Sequence, residues 1–309
     1  MRDPAAQMKS LEIIMALDTH TEIAAYSAPE KDLYEVSDMP PLGYVPKSMY
    51  AWAIRRERHG EPDKSFQVEV VDTPTLDSQD VLVLVMAAGV NYNGVWAGLG
   101  VPISPFDVHK AAYHIAGSDA SGLVWAVGDK VTRWKVGDEV VVHCNQDDGD
   151  DEECNGGDPM FSPSQRIWGY ETPDGSFAQF TRVQAQQLMP RPRHLTWEES
   201  ACYTLTLATA YRMLFGHHPH ELKPGQNVLV WGASGGLGSF AIQLIRISGY
   251  IPTSLKSKTT SSNLPGNLLP TSWSHCTPTV SNSTPRLRAA RRKQFSPGSR
   301  NLFLVAVGA

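Results

Sequence analysis

Trp231-Gly232-Ala233-Ser234-Gly235-Gly236-Leu237-Gly238-Ser239 is a glycine-rich bend whose glycines at 232, 235 and 238 fall three residues apart. The apolar run Asn227 to Trp231 before it reads as a strand, and Ser239 to Ile247 after it has helical spacing. Strand, glycine loop and helix form the first half of a βαβ unit, so this part of the chain is α/β with a parallel sheet. The three glycines have separate tasks. One permits a tight turn off the strand, one lets the backbone approach a pyrophosphate with no Cβ in the way, and one lets the helix pack close. The helix N-terminus then supplies free N–H groups and a positive dipole end. The position between strand and helix is the context that distinguishes a dinucleotide loop from a chance glycine run. Gly232, Ser234, Gly235, Gly236, Leu237 and Gly238 are therefore the candidate cofactor-binding residues.

Gly232-Ala233-Ser234-Gly235-Gly236 also satisfies G-x-S-x-G, the frame of a nucleophile elbow, which sits between strand and helix as well. That chemistry needs a downstream acid and then a histidine. No Asp or Glu follows Ser234, and His275 is the only later His, which counts against a hydrolase.

Downstream, a full Rossmann unit calls for a second strand ending in a ribose-binding residue about 20 residues on. None is legible. Residues 251–309 hold 17 Ser or Thr, six Pro, eight Lys or Arg and no acidic residue, with no period of 2 or 3.6. The segment reads as a low-complexity basic tail, of disordered composition or translated out of frame or across an unspliced junction. A genuine arm carrying Arg286, Arg288, Arg291, Arg292 and Lys293, suited to polyanions, is the alternative.

Upstream, Thr196-Trp197-Glu198-Glu199 is a capping box opening an apolar helix toward Phe215. Lys223-Pro224-Gly225-Gln226 is a turn. Between 48 and 188, short strands alternate with turns: Tyr50 to Arg55, Phe66 to Val71, Asp80 to Val90, Gly122 to Val127, Glu139 to His143 and Phe177 to Val183. That pattern predicts an antiparallel barrel-like domain. Asp80 to Val90 is nearly all apolar, as in a strand buried on both faces. The acidic loop Asp147 to Glu153 lacks EF-hand spacing and reads as a solvated excursion. Residues 1–47 read as an extension wrapped on the surface, with a short helix near Leu11, Ile14, Met15 and Leu17 and a stretch broken by Pro29, Pro40, Pro41 and Pro46.

The formal charge of −5 gives no reason to expect nucleic acid, although residues 1–250 carry 19 basic against 32 acidic groups and the tail is wholly basic. Cys144, Cys154, Cys202 and Cys276 form no CxxC pair, so neither a zinc ribbon nor a disulfide framework is expected. No apolar run reaches the roughly 18 residues of a membrane span, and the N-terminus has no signal-peptide core. A cytoplasmic protein with no membrane partner is the expectation.

VNYNGVWAG (90–98), HIAGSDASGLV (114–124), VGDEVVVHC (136–144), RIWGYETPDGSFAQF (166–180), QLMPRPRHLTWEESA (187–201) and NVLVWGASGGLGS (227–239) together resemble the crotonyl-CoA carboxylase/reductases of the medium-chain dehydrogenase/reductase superfamily. VGDEV and the glycine loop occur across that superfamily, whereas NYN together with WG-aromatic-ET is far more specific. The resemblance covers about residues 10–247. It implies a GroES-like catalytic domain over 48–188 and an incomplete Rossmann domain beginning over 189–250. It implies NADPH as cofactor and an acyl-CoA substrate. Hydride goes to the β-carbon of an α,β-unsaturated acyl-CoA, and the enolate attacks CO2 to give an alkylmalonyl-CoA, or takes a proton instead. Members form homo-oligomers, which is expected here if the full nucleotide-binding domain is present.

By motif, Asn91 matches an active-site amide of that family and Glu171 its active-site carboxylate. An amide can donate N–H to a CO2 oxygen, and a carboxylate can orient a water or a histidine. Tyr170 stands where the family carries Phe; its hydroxyl puts carboxylation, more than reduction, in question. The family's CO2-site histidine lies beyond the glycine loop, and no His of this chain matches it. Zinc-dependent relatives carry Gly-His-Glu where this chain has Gly117-Ser118-Asp119, and His143 with Cys144 has no evident third ligand, so no metal is expected. A plain quinone or enoyl reductase and an inactive fragment of the carboxylase/reductase type remain the alternatives.

Overall fold

The computed structural model describes residues 29–36, 38–216, 221–223, 227–248, 251–255 and 305–307. The helix expected near Leu11 to Leu17, the turn at 224–226 and the tail over 256–304 lie outside the described residues. The strands are β1 (Ser48–Ile54), β2 (Gln67–Asp72), β3 (Asp80–Val90), β4 (His114–Ile115), β5 (Asp119–Val127), β6 (Glu139–Val142), β7 (Asn145–Gln146), β8 (Arg166–Ile167), β9 (Phe180–Gln184), β10 (Leu188–Pro190), β11 (Asn227–Trp231), β12 (Ile251–Leu255) and β13 (Val305–Val307). The α-helices are α1 (Pro62–Ser65), α2 (Tyr92–Leu99), α3 (Pro105–Val108), α4 (Trp197–Ser200), α5 (Thr204–Tyr211) and α6 (Gly236–Ile247).

The chain forms two compact units, one built on residues up to Cys202 and the other starting at Tyr203. Residues 189–202, placed with the nucleotide-binding part by the resemblance, group with the first unit. The reason is packing: β10 pairs antiparallel with β6, and Trp197 of α4 joins the first unit's core and accepts a 2.6 Å hydrogen bond from Ser121 Oγ at its carbonyl.

In the first unit β3 is the spine. It pairs antiparallel with β5 and β9, β6 continues the sheet from β5, and β10 follows β6. A second sheet has the order β2-β1-β4. Successive β3 side chains point to opposite faces. Val81, Val83 and Val85 enter one core with Trp168, Val140 and Leu188, while Leu82 and Leu84 enter the other with Met49, Trp125 and Phe180. Both faces are thus buried, which is why the strand's sequence is apolar without alternation. Residues 29–47 lie against this unit: Gln179 Nε2 donates to the Tyr34 carbonyl at 3.1 Å and Trp125 Nε1 to the Tyr44 carbonyl at 2.7 Å.

The second unit pairs β11 with β12 in parallel, from Asn227↔Ile251 to Trp231↔Leu255, with α6 between them in sequence. Here the reading of 251 onward as patternless is corrected. Its first five residues are a strand, because parallel pairing uses backbone groups and does not require the alternation that Pro252, Thr253 and Ser254 lack. The helix expected from Thr196 to Phe215 is also corrected. It is interrupted at Ala201–Tyr203, resumes as α5, and ends in a π-helical turn at Arg212–Gly216. The capping box forms as expected, with Glu199 N donating to Thr196 Oγ1 and Thr196 N to Glu199 Oε2, both at 3.2 Å. Val230 and Ile245 centre the unit's small core.

Candidate functional site

The glycine bend takes the geometry its sequence demands. Gly232 has φ +72, a conformation that disfavours any Cβ. Gly235 N closes the turn on the Gly232 carbonyl at 3.1 Å. Gly235 is the N-cap of α6, and no side chain caps it there. The first-turn amides of this 12-residue helix thus have no side-chain acceptor and are available to an anion. A Cβ on Gly238 would lie 2.4 Å from the Gly232 carbonyl oxygen and 2.6 Å from Ala233 Cα, so only glycine permits this approach of helix to loop. Ser239 Oγ donates to the Gly236 carbonyl at 2.9 Å. Ser234 and Leu237 are exposed, one on the turn and one on the first helical turn. Gly232, Gly235, Gly236 and Gly238 therefore shape a cradle that fits a diphosphate.

In the first unit, Asn91 is the N-cap of α2 but does not cap it with its side chain. Its Nδ2 instead donates to Asp119 Oδ2 at 2.8 Å, and Asn93 Nδ2 donates to Ser118 Oγ at 2.8 Å. Asp119 and Ser118 are buried. Two rungs therefore tie the first turn of α2 to the start of β5. These are the residues standing where zinc relatives carry Glu and His, and both are committed to amides. Cys144 is buried as well, and burial first, with the charge of Asp119 next, pushes its thiol up to about 12. His143 accepts the Asn145 N–H at Nδ1, 3.1 Å away.

The Trp168–Glu171 turn packs against the other end of the same segment. Gly169 has φ +73, and a Cβ there would lie under 2 Å from the Gly117 carbonyl, next to Ser118. Tyr170 packs with Ile54, Ala97, Phe106 and Ala116 and donates its hydroxyl to the Ile103 carbonyl at 2.7 Å. Burial, then the charge of Glu171, raises the phenol's pKa, so it stays a neutral donor. The hydroxyl that distinguishes Tyr170 from Phe is thus occupied.

Glu171 Oε2 accepts the Ile167 N–H at 2.7 Å, and the side chain lines a polar cavity of about 240 Å³ with Asp77, Asp80, Asp174 and Arg182. Arg182 Nη2 reaches Asp174 at 3.1 Å, and burial raises the Asp174 carboxyl despite that partner. A separate apolar cavity of about 330 Å³ lies beside Asn91, lined by Trp52, Phe66, Val90, Gly94, Val95 and Phe177. The structure thus brings Asn91 onto Asp119 and lays the turn bearing Tyr170 and Glu171 on Gly117, but Glu171 and the neighbours of Asn91 line different cavities.

Sequence reasoning did not single out Asp119, Asn93 or His114 for these roles. His114 is fully buried, meets His109 Nε2 through Nδ1 at 3.0 Å, and burial lowers its pKa to about 3. The spacing of NYN and GSD held the only clue to the two rungs. In the acidic excursion, Asp148, Asp151 and Cys154 bring one ligand atom each within 4.8 Å of one another, and Asp151 is bound by the Cys154 N–H and Ser162 Oγ.

Residues 77–193 match the model of the alcohol dehydrogenase GroES-like domain. The chain is 83% identical over 235 residues to the crotonyl-CoA carboxylase/reductase of Cereibacter sphaeroides, covering 76% of this chain and 55% of that protein. It is similar to a solved crotonyl-CoA carboxylase/reductase with a TM-score of 0.74 and 73% identity, over 76% of this chain and 55% of that one. It is also similar to the 2-octenoyl-CoA carboxylase reductase CinF in complex with NADP and 2-octenoyl-CoA, with a TM-score of 0.65 and 41% identity, over 68% and 52% of the two chains. The chain spans about half the length of the curated relatives it matches.

Proposed function

The matched part of this chain belongs to the crotonyl-CoA carboxylase/reductases, and from that premise we propose that the protein reduces an α,β-unsaturated acyl-CoA of the crotonyl type with NADPH, with CO2 as the electrophile that completes the reaction. The observation that carries the reading is the uncapped α6 N-terminus behind the Gly232 bend, which fits the diphosphate of a dinucleotide. A solved relative of the same fold holds NADP.

When bound, NADPH supplies the hydride for the β-carbon of the substrate. The electrons of the C=C bond then move toward the thioester as an enolate. Its α-carbon attacks CO2, forming a C–C bond and a carboxylate; a proton taken instead gives the saturated acyl-CoA. The chain's residues divide the remaining work. The α6 amides and Gly232, Gly235, Gly236 and Gly238 hold the diphosphate, with Ser234 and Leu237 at its margin. Asn91 gives one Nδ2 hydrogen to Asp119 and keeps the other for a CO2 oxygen. Glu171, whose carboxylate faces a polar cavity, acts through an ordered water. Tyr170 closes the apolar side, its hydroxyl tied to Ile103. The chemistry assigned to these residues includes no metal. The form proposed is cytoplasmic, and a homo-oligomer where the full nucleotide-binding domain is present; among the described residues no helix is long and apolar enough to cross a membrane.

A second reading, a protein that binds the dinucleotide or a CoA ester without turnover, is supported by one observation. Among the described residues the sheet of the second unit has two strands, and Leu229, Trp231 and Ile247 are exposed on its elements. One experiment separates the readings. The full chain is titrated with NADPH by fluorescence and then given crotonyl-CoA with and without bicarbonate, with products identified by mass. We expect saturable NADPH binding that Gly238→Ala weakens at least about tenfold, a loss of 1.4 kcal/mol or more, and an alkylmalonyl-CoA only with bicarbonate. Binding without NADPH consumption in either condition selects the second reading, and a chain that binds neither NADPH nor crotonyl-CoA, titrated in the same way, defeats both.

A further inference from the structure

We infer that Asp119 is a positioning residue that holds the Asn91 carboxamide in one of its two flips, so that this amide presents a hydrogen-bond donor, and not only a carbonyl, to the reacting centre. An ionised carboxylate only accepts hydrogen bonds. The Asn91 NH2 faces Asp119 through the 2.8 Å Nδ2–Oδ2 contact, so Oδ1 lies on the other side. One Nδ2 hydrogen is consumed and the second is held in a fixed direction.

The surroundings are built for this. Asp119 is 1% exposed, so the carboxylate is removed from water and its hydrogen bonds are strengthened. It pairs across the strands with Gly89, two residues before Asn91. A Cβ at position 89 would lie 2.9 Å from Asp119 Cβ and 2.2 Å from the Ala201 carbonyl oxygen, so glycine is what leaves room for the carboxylate under the end of β3. The Asn93–Ser118 rung, also 2.8 Å, ties the same turn of α2 to the adjacent residue of the chain. Asn91 and Asp119 are thus held from both backbones, and the register between them is set by β3–β5 pairing.

The pairing is tested by stability and its consequence by product. Asn91→Asp sets two carboxylates against each other, and we expect its melting temperature to fall by about 4 °C or more. The swapped double variant Asn91→Asp with Asp119→Asn restores one donor facing one acceptor and should recover most of that loss, or recover folding if the single variant does not fold. A double variant that melts at the sum of the two single losses, or that stays unfolded, overturns the pairing. The functional half rests on the proposed reaction. Asp119→Asn frees the Asn91 amide to flip, and with crotonyl-CoA, NADPH and bicarbonate the ratio of carboxylated to reduced product should fall about tenfold, the worth of one misplaced hydrogen bond. A merely structural role would lower total turnover and leave that ratio alone, which overturns the positioning role. If the unmodified chain consumes no NADPH, the proposed reaction fails, while the swap still decides the pairing.

Discussion

The strand β3 and the strand β11 are both apolar, yet they live in different surroundings. Every inward turn of β3 finds a core: Val81, Val83 and Val85 on one side, Leu82 and Leu84 on the other, all nearly inaccessible. In β11, Val230 is buried while Leu229 is 49% and Trp231 75% exposed. The first strand is enclosed by β5, β9 and a second layer; among the described residues, the second strand has one partner and one helix. A motif therefore specifies local backbone geometry wherever it occurs, but the stability of that geometry depends on how many layers close over it.

This contrast can be broken or sharpened by experiment. The largest effect is expected at Trp168, which is fully buried and donates through Nε1 to the Asp174 carbonyl at 2.7 Å. Trp168→Ala should cost about 4 kcal/mol of unfolding free energy and should also loosen the turn carrying Tyr170 and Glu171; denaturant unfolding of the first unit measures it. A loss under about 1 kcal/mol would mean that this core is not the rigid one described.

The next effect is electrostatic. His114 is neutral in the fold because burial, then the charge of His109, lowers its pKa from 6.5 to about 3. The unfolded chain binds a proton in that window and the native one does not. Stability from this group is therefore complete above 6.5 and lost as pH falls toward 3, by at most about 1.4 kcal/mol for each pH unit. Melting curves across that range should be steeper for the natural chain than for His114→Gln, and parallel curves would remove His114 from the account.

The smallest effect belongs to the other unit. Leu229→Ser should change stability by no more than about 0.5 kcal/mol, since that side chain is half exposed. A loss of the size expected at Trp168 would erase the difference between the two strands.

Much of this molecule was legible before its structure. Asp80–Val90 and Asn227–Trp231 emerge with the bounds their composition suggests, and Thr196 with Glu199 forms the capping box its spacing implies. Those features depend on residues within one turn or one strand of each other. What escaped did so for the converse reason. β12 carries no side-chain pattern, because its pairing is made by the backbone. The helix after Thr196 is interrupted at Ala201, whose carbonyl lies against the place a Gly89 side chain would occupy. The motifs name Asn91 and Glu171, but not the group each side chain holds, which is Asp119 in one case and the Ile167 N–H in the other.

The amino-acid sequence by itself determined the strand–glycine–helix bend, the doubly buried spine and the lineage of the motifs, because local backbone demands and residue periodicity act over a few neighbours. Only the tertiary structure decided which acceptor holds the Asn91 amide, which carbonyl takes the Tyr170 hydroxyl, and which cavity receives Glu171. Asn91 and Asp119 stand 28 residues apart, and Tyr170 and Ile103 stand 67 apart. Strand register and layer packing alone bring such groups within hydrogen-bond reach, and no local pattern encodes either.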